Sequence, residues 1–131
     1  MRTDAVTIQT ARRDRGRTGY RAGLAAEEIV ERDYARRGLH LRARRWRGRG
    51  GEIDLIVQVG TGLVFVEVKK SRSFDGAALH LTPRQAARIL DAAAEFAGGE
   101  PLGELTPMRI DIALVNQSGE VRILENAIGH D

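Results

Sequence analysis

Cysteine is absent from this chain of 131 residues. That excludes disulfides and thiolate-bound zinc, and it suits a reducing compartment. No apolar run approaches the ~18 residues of a membrane-spanning helix, so no membrane partner is expected. The N-terminus has no apolar signal core, and the expected location is therefore cytoplasmic. Lysine is nearly absent as well. Of 21 basic residues 19 are Arg, and the only lysines are Lys69 and Lys70. Where Arg otherwise supplies positive charge, a compact ammonium at one place invites a chemical reason.

The length suffices for one domain with a real core. Charge is unevenly spread along it. Residues 1–49 hold 14 Arg and 6 acids, whereas residues 50–131 hold 7 basic residues and 12 acids. Residues 1–18 show no sustained apolar period and read as a basic arm, either a solvated tail or a contact for phosphates. Residues 19–131 then form the single domain.

Residues 20–37 carry helix formers with Ala26, Val30 and Tyr34 on one side, and Gly38 after Arg36-Arg37 is a helix stop. Glu27 projects towards that apolar side and Glu28 further round. Glu27 is thus either an acid facing the sheet or a rim residue paired with Arg. Residues 39–46 alternate apolar and basic residues, which describes an edge strand. Arg44, Arg45, Trp46, Arg47 and Arg49 lead into a glycine-rich loop. They suit phosphate contacts and stacking on Trp46. Equally, they read as a solvated Arg face with Trp46 as a plug in the core.

Residues 52–59 and 62–70 read as strands joined by Gly60-Thr61-Gly62. Alternation places Glu52, Asp54 and Ile56 on one face of the first, with Ile53, Leu55 and Val57 on the other. Thr82-Pro83 opens a helix to about Ala97, with Gln85 completing a capping box. Residues 108–116 and 120–124 form a second hairpin. The order α-β-β-β-α-β-β gives an α/β fold with a mixed central sheet flanked by helices.

Three charges stand inside apolar strand runs: Asp54, Glu67 and Lys69. Buried charge is costly unless paired or bound to metal. Two carboxylates across a tight hairpin, with the Val68 backbone carbonyl between Glu67 and Lys69, suit Mg²⁺ or Mn²⁺. Such an ion activates water for attack on a phosphodiester. Lys69, on the Glu67 face, would position that water or stabilise the transition state. Glu27 would complete the ligand shell or hold a second metal. The bland alternative is an ion pair at a strand end.

At these residues the chain resembles the PD-(D/E)xK, restriction-endonuclease-like nuclease superfamily. More closely it resembles its YraN-like family of small bacterial proteins, related to archaeal Holliday-junction resolvases. Gly51-Glu52-Ile53-Asp54-Leu55-Ile56 matches a GEIDLI run and Val64-Phe65-Val66-Glu67-Val68-Lys69 a VFVEVK run. The resemblance covers about residues 20–128. It implies a restriction-endonuclease-like core, Asp54 and Glu67 as metal ligands, Lys69 as catalytic and Glu27 as accessory acid. Four positions depart from the family pattern, the first being Ala26, where Gly is usual before Glu27. Gln85-Ala86 stands where Lys-Gln is usual after Thr82, and Arg45 stands where Asn is usual. The implied activity is metal-dependent hydrolysis of DNA, on branched or recombination and repair intermediates, with nucleic acid as partner and a homodimer for resolvase-like action. The other readings are a nucleic-acid-binding protein without turnover and an adaptor for an acidic protein.

Overall fold

The computed structural model describes residues 25–74 and 80–128. The basic arm expected at residues 1–18 lies outside the described residues. Helix α1 occupies residues 25–36. Its inner stripe is Ala26, Val30 and Tyr34, all buried, at the four-residue spacing that repeats on one helix face. It ends at Gly38, whose φ of 89° suits a residue with no Cβ. The Gly38 N–H donates to the Ala35 carbonyl at 3.0 Å and the Leu39 N–H to that of Tyr34 at 3.1 Å, the paired bonds of a Schellman stop.

Strands β1 (His40–Arg47), β2 (Glu52–Val59) and β3 (Gly62–Lys70) follow. Helix α2 (Pro83–Gly98), a 3-10 turn (Gly103–Leu105), β4 (Met108–Val115) and β5 (Val121–Leu124) complete the chain. The sheet runs β1-β2-β3-β4-β5. Only β3 and β4 are parallel. That step needs a crossover, and α2 lies within it. The expected mixed α/β sheet and element order are found, with β1 at an edge as its alternation predicted.

Each face of the sheet carries its own core. On one, Leu55, Val57, Val64, Val66, Ala113 and Val115 pack against α1. On the other, Ile53, Ile56, Leu63, Phe65 and Ile110 pack against α2. Sheet strands covered on both sides read as near-continuous apolar runs, which is why β3 and β4 look as they do in sequence.

One expectation is corrected. Alternation placed Ile53 with Leu55 and Val57, but Ile53 packs on the opposite face. The cause lies across the ladder at Arg45, whose φ is 48°. A left-handed residue inside a strand breaks the two-residue alternation. Arg44 therefore pairs with Glu31 of α1, while Trp46, two residues on, packs against Phe96 of α2. Ile53 is the partner of Trp46 and turns with it.

Helix α2 starts as its sequence dictates. The Gln85 N–H donates to Thr82 Oγ1 at 3.1 Å, and the Thr82 N–H donates to Gln85 Oε1 at 2.9 Å. The glycine-rich loop before β2 is held against this helix, with the Arg49 N–H donating to Glu95 Oε1 at 2.9 Å. A Cβ on Gly48 would meet Glu95 Oε1 and the Trp46 ring at 2.5 Å, so only glycine allows the loop to pack this closely.

Candidate active site

Pairing of β2 with β3 ends at Leu55–Val66. The next residues, Asp54 and Glu67, face each other just past the last ladder pair. Asp54 Oδ2 accepts the Val68 N–H at 2.8 Å, so a side chain stands where a ladder carbonyl would otherwise bond. The N–H and C=O of one strand residue point the same way. The Val68 carbonyl therefore also faces the gap that β2 has left.

The Asp54 and Glu67 carboxyls lie within hydrogen-bonding reach of each other. Burial pushes the Glu67 carboxyl up to about 7, and the charge of Asp54 adds to this; Lys69 and Arg88 offset it in part. Asp54 is raised as well, first by burial, against the relief given by the Val68 N–H. Two carboxylates desolvated together are a high-energy arrangement that a hard cation relieves.

The pair opens into a cleft of about 280 Å³ lined by Gly51, Glu52, Asp54, Glu67, Gln85, Arg88 and Ile89. A larger cavity of about 450 Å³ lies on the α1 side, around Ala26, Ile29, Lys70, Arg72 and Val115. Among the described residues its wall holds no carboxylate.

The other candidates are placed as follows. Lys69 Nζ donates to the His80 carbonyl at 2.6 Å, and its charge still reaches Glu67. Glu27 faces inward, as the wheel predicted, but its Oε1 accepts from Arg45 Nε at 3.0 Å. Burial and Asp54 raise the Glu27 carboxyl, while Arg45 lowers it. Among the described residues, no three His, Cys, Asp or Glu side chains gather as a metal-holding group. Asp54 and Glu67 are brought together, and Glu27 stands beside them on Arg45.

Of the basic set, Arg44 binds Glu31 through two bonds of 2.9 Å. Arg47 meets Glu52 on the cleft wall at 3.4 Å. The side chain of Arg49 is exposed. The Trp46 ring stands edge-on to Phe96, with centroids 5.3 Å apart. Gln85 both caps α2 and lines the cleft.

Sequence reasoning missed Arg88, which lies three residues after Gln85 and so shares its helix face. It also gave no role to Asp111, which is completely buried. Asp111 accepts from Tyr34 Oη at 2.7 Å, Arg109 Nε at 2.9 Å and the Asn126 N–H at 3.0 Å. A lone acid between Ile110 and Ile112 was the signal. This cluster ties α1 to β4 and the turn after β5, and it is a structural node rather than part of the cleft.

The model of "Uncharacterised protein family UPF0102" matches residues 26–115. The chain is 59% identical over 116 residues to a UPF0102 protein of Ruegeria pomeroyi, covering 88% of this chain and 94% of that one. A UPF0102 protein of Ruegeria sp. is 52% identical over 118 residues, covering 90% and 95%. One of Dinoroseobacter shibae is 46% identical over 123 residues, covering 94% and 92%. This is the YraN-like grouping that the two strand motifs resemble.

Proposed function

We propose that this chain, which belongs to the UPF0102 family, is a Mg²⁺- or Mn²⁺-dependent endonuclease that hydrolyses DNA phosphodiester bonds. On this reading its sheet and two helices are a restriction-endonuclease-like core of the PD-(D/E)xK superfamily. The observation that carries it is the pair of desolvated carboxyls, Asp54 and Glu67, at the open end of the β2–β3 ladder.

The donor set fits a hard divalent ion: two carboxylates and the Val68 carbonyl, with space in the cleft for water and a phosphate. When bound, the ion supplies positive charge beside the scissile phosphate and lowers the pKa of water. Lys69 places a second cation on the Glu67 side, held by the His80 carbonyl, where charge develops in the transition state. Arg88 and Gln85 project from α2 into the same cleft and orient the phosphate. Arg47 and Arg49, at the rim, contact phosphates on either side of the cut. Resolvase-like action on a branched intermediate would need two such sites and therefore a dimer.

The test is cleavage of linear, nicked and branched DNA with Mg²⁺ or Mn²⁺. Asp54→Asn and Glu67→Gln should each lower the rate by at least about 100-fold, while DNA binding persists. Cleavage that survives both changes removes the site from the account. The second reading is DNA binding without turnover. The contact of Lys69 Nζ with the His80 carbonyl favours it, because that bond takes up one donor of the ammonium that a phosphate would need. It requires salt-sensitive binding and no metal-stimulated cleavage of any DNA form.

A further inference from the structure

Arg45 has a backbone that its side chain does not favour. Among the described residues it shares positive φ, outside glycine, only with Asn126. A left-handed conformation is disfavoured for a residue with a Cβ. Here it turns the side chain out of the alternation of β1 and onto α1, where Nε donates to Glu27 Oε1 at 3.0 Å. The ion pair is partly buried, with the Glu27 side chain 14% exposed and that of Arg45 36%.

Among the described residues, the guanidinium serves both Glu27 and Asp54. Its charge stabilises the ionised form of Glu27 and also that of Asp54. It therefore lies within electrostatic reach of the accessory acid and of one member of the carboxylate pair. A second divalent ion bridging Glu27 and Asp54 would meet this charge.

We propose that Arg45 takes the place of a second metal ion, so that the site binds one divalent cation at Asp54–Glu67 and Glu27 serves to hold Arg45. The inference rests on the metal-dependent reading above. It assigns Glu27 a positioning task and gives the arginine at this position a reason. The cation that two-metal sites place near the leaving group is then covalently part of the chain.

Isothermal titration of the full chain with MnCl₂ tests this. The wild type should bind one Mn²⁺. Arg45→Gln removes the charge and shortens the side chain, and should bind two. The double variant Arg45→Gln, Glu27→Gln should return to one, because the second ion then lacks a ligand. Arg45→Lys, which keeps a cation, should stay at one, and this holds the test open if the neutral variant fails to fold. Two ions in the wild type, or a single ion in a folded Arg45→Gln chain, overturn the inference and leave the metal-dependent reading intact. No Mn²⁺ binding by the wild type overturns that reading itself and this inference with it.

Discussion

At the scale of single residues, Glu67 carries the sharpest consequence. Its carboxyl ionises near 4.5 when unperturbed and at about 7 in the fold. Between those values the unfolded chain holds fewer protons than the folded one. Stability of the metal-free protein therefore falls as pH rises from about 4.5 to about 7 and levels off above. Allowing for its partial exposure, the change is on the order of 2 kcal/mol. Denaturant melts across this range should show the fall in the wild type and a flatter profile in Glu67→Gln. An unchanged profile in the variant would mean that another group titrates there. With Mn²⁺ present the slope should reverse, since the ion requires both carboxylates ionised. The residues that escaped sequence reasoning did so for a physical reason. Alternation counts positions and assumes every φ is negative, so the turn at Arg45, and Ile53 with it, was invisible.

At the scale of elements, the sequence was far more legible. The β2 and β3 spans follow from apolar runs broken by Gly60-Thr61-Gly62. The start of α2 follows from Thr82, Pro83 and Gln85, because caps and φ-locked prolines act locally. Interactions between elements were not legible. That Arg45 meets Glu27, or that Tyr34 meets Asp111 77 positions away, depends on how α1 lies on the sheet. The two kinds of contact differ in strength. Thr82→Ala should lower stability by about 1 kcal/mol. Tyr34→Phe removes a hydrogen bond to a buried acid that also pairs with Arg109 and should cost about 1.5 to 3 kcal/mol. Chemical denaturation of both variants checks the order; a Tyr34→Phe loss no larger than that of Thr82→Ala would mean Arg109 and the Asn126 N–H already satisfy Asp111.

At the scale of the whole molecule, the charge asymmetry of the sequence does not become one bare basic face among the described residues. Arg42 lies 2.8 Å from Glu100, Arg44 binds Glu31, Arg45 binds Glu27 and Arg47 meets Glu52. A running sum of charge cannot register pairs that close across strands and helices. The topology, by contrast, sets a folding order. Each β3–β4 pair joins residues forty-five positions apart, such as Leu63 with Met108, whereas Val59 pairs with Gly62 across a tight turn. Distant pairings close later, since the intervening chain must be ordered first. The β1–β2–β3 meander is therefore expected to form before β4 docks, with Val57→Ala slowing folding and Ile112→Val mainly speeding unfolding. The reverse assignment in stopped-flow kinetics would exclude this route. Asp54 and Glu67 thus meet in the nascent meander before α2 arrives to wall their cleft. Their repulsion then belongs to the barrier as well as to the folded state, and neutralising either carboxyl should make the chain fold faster.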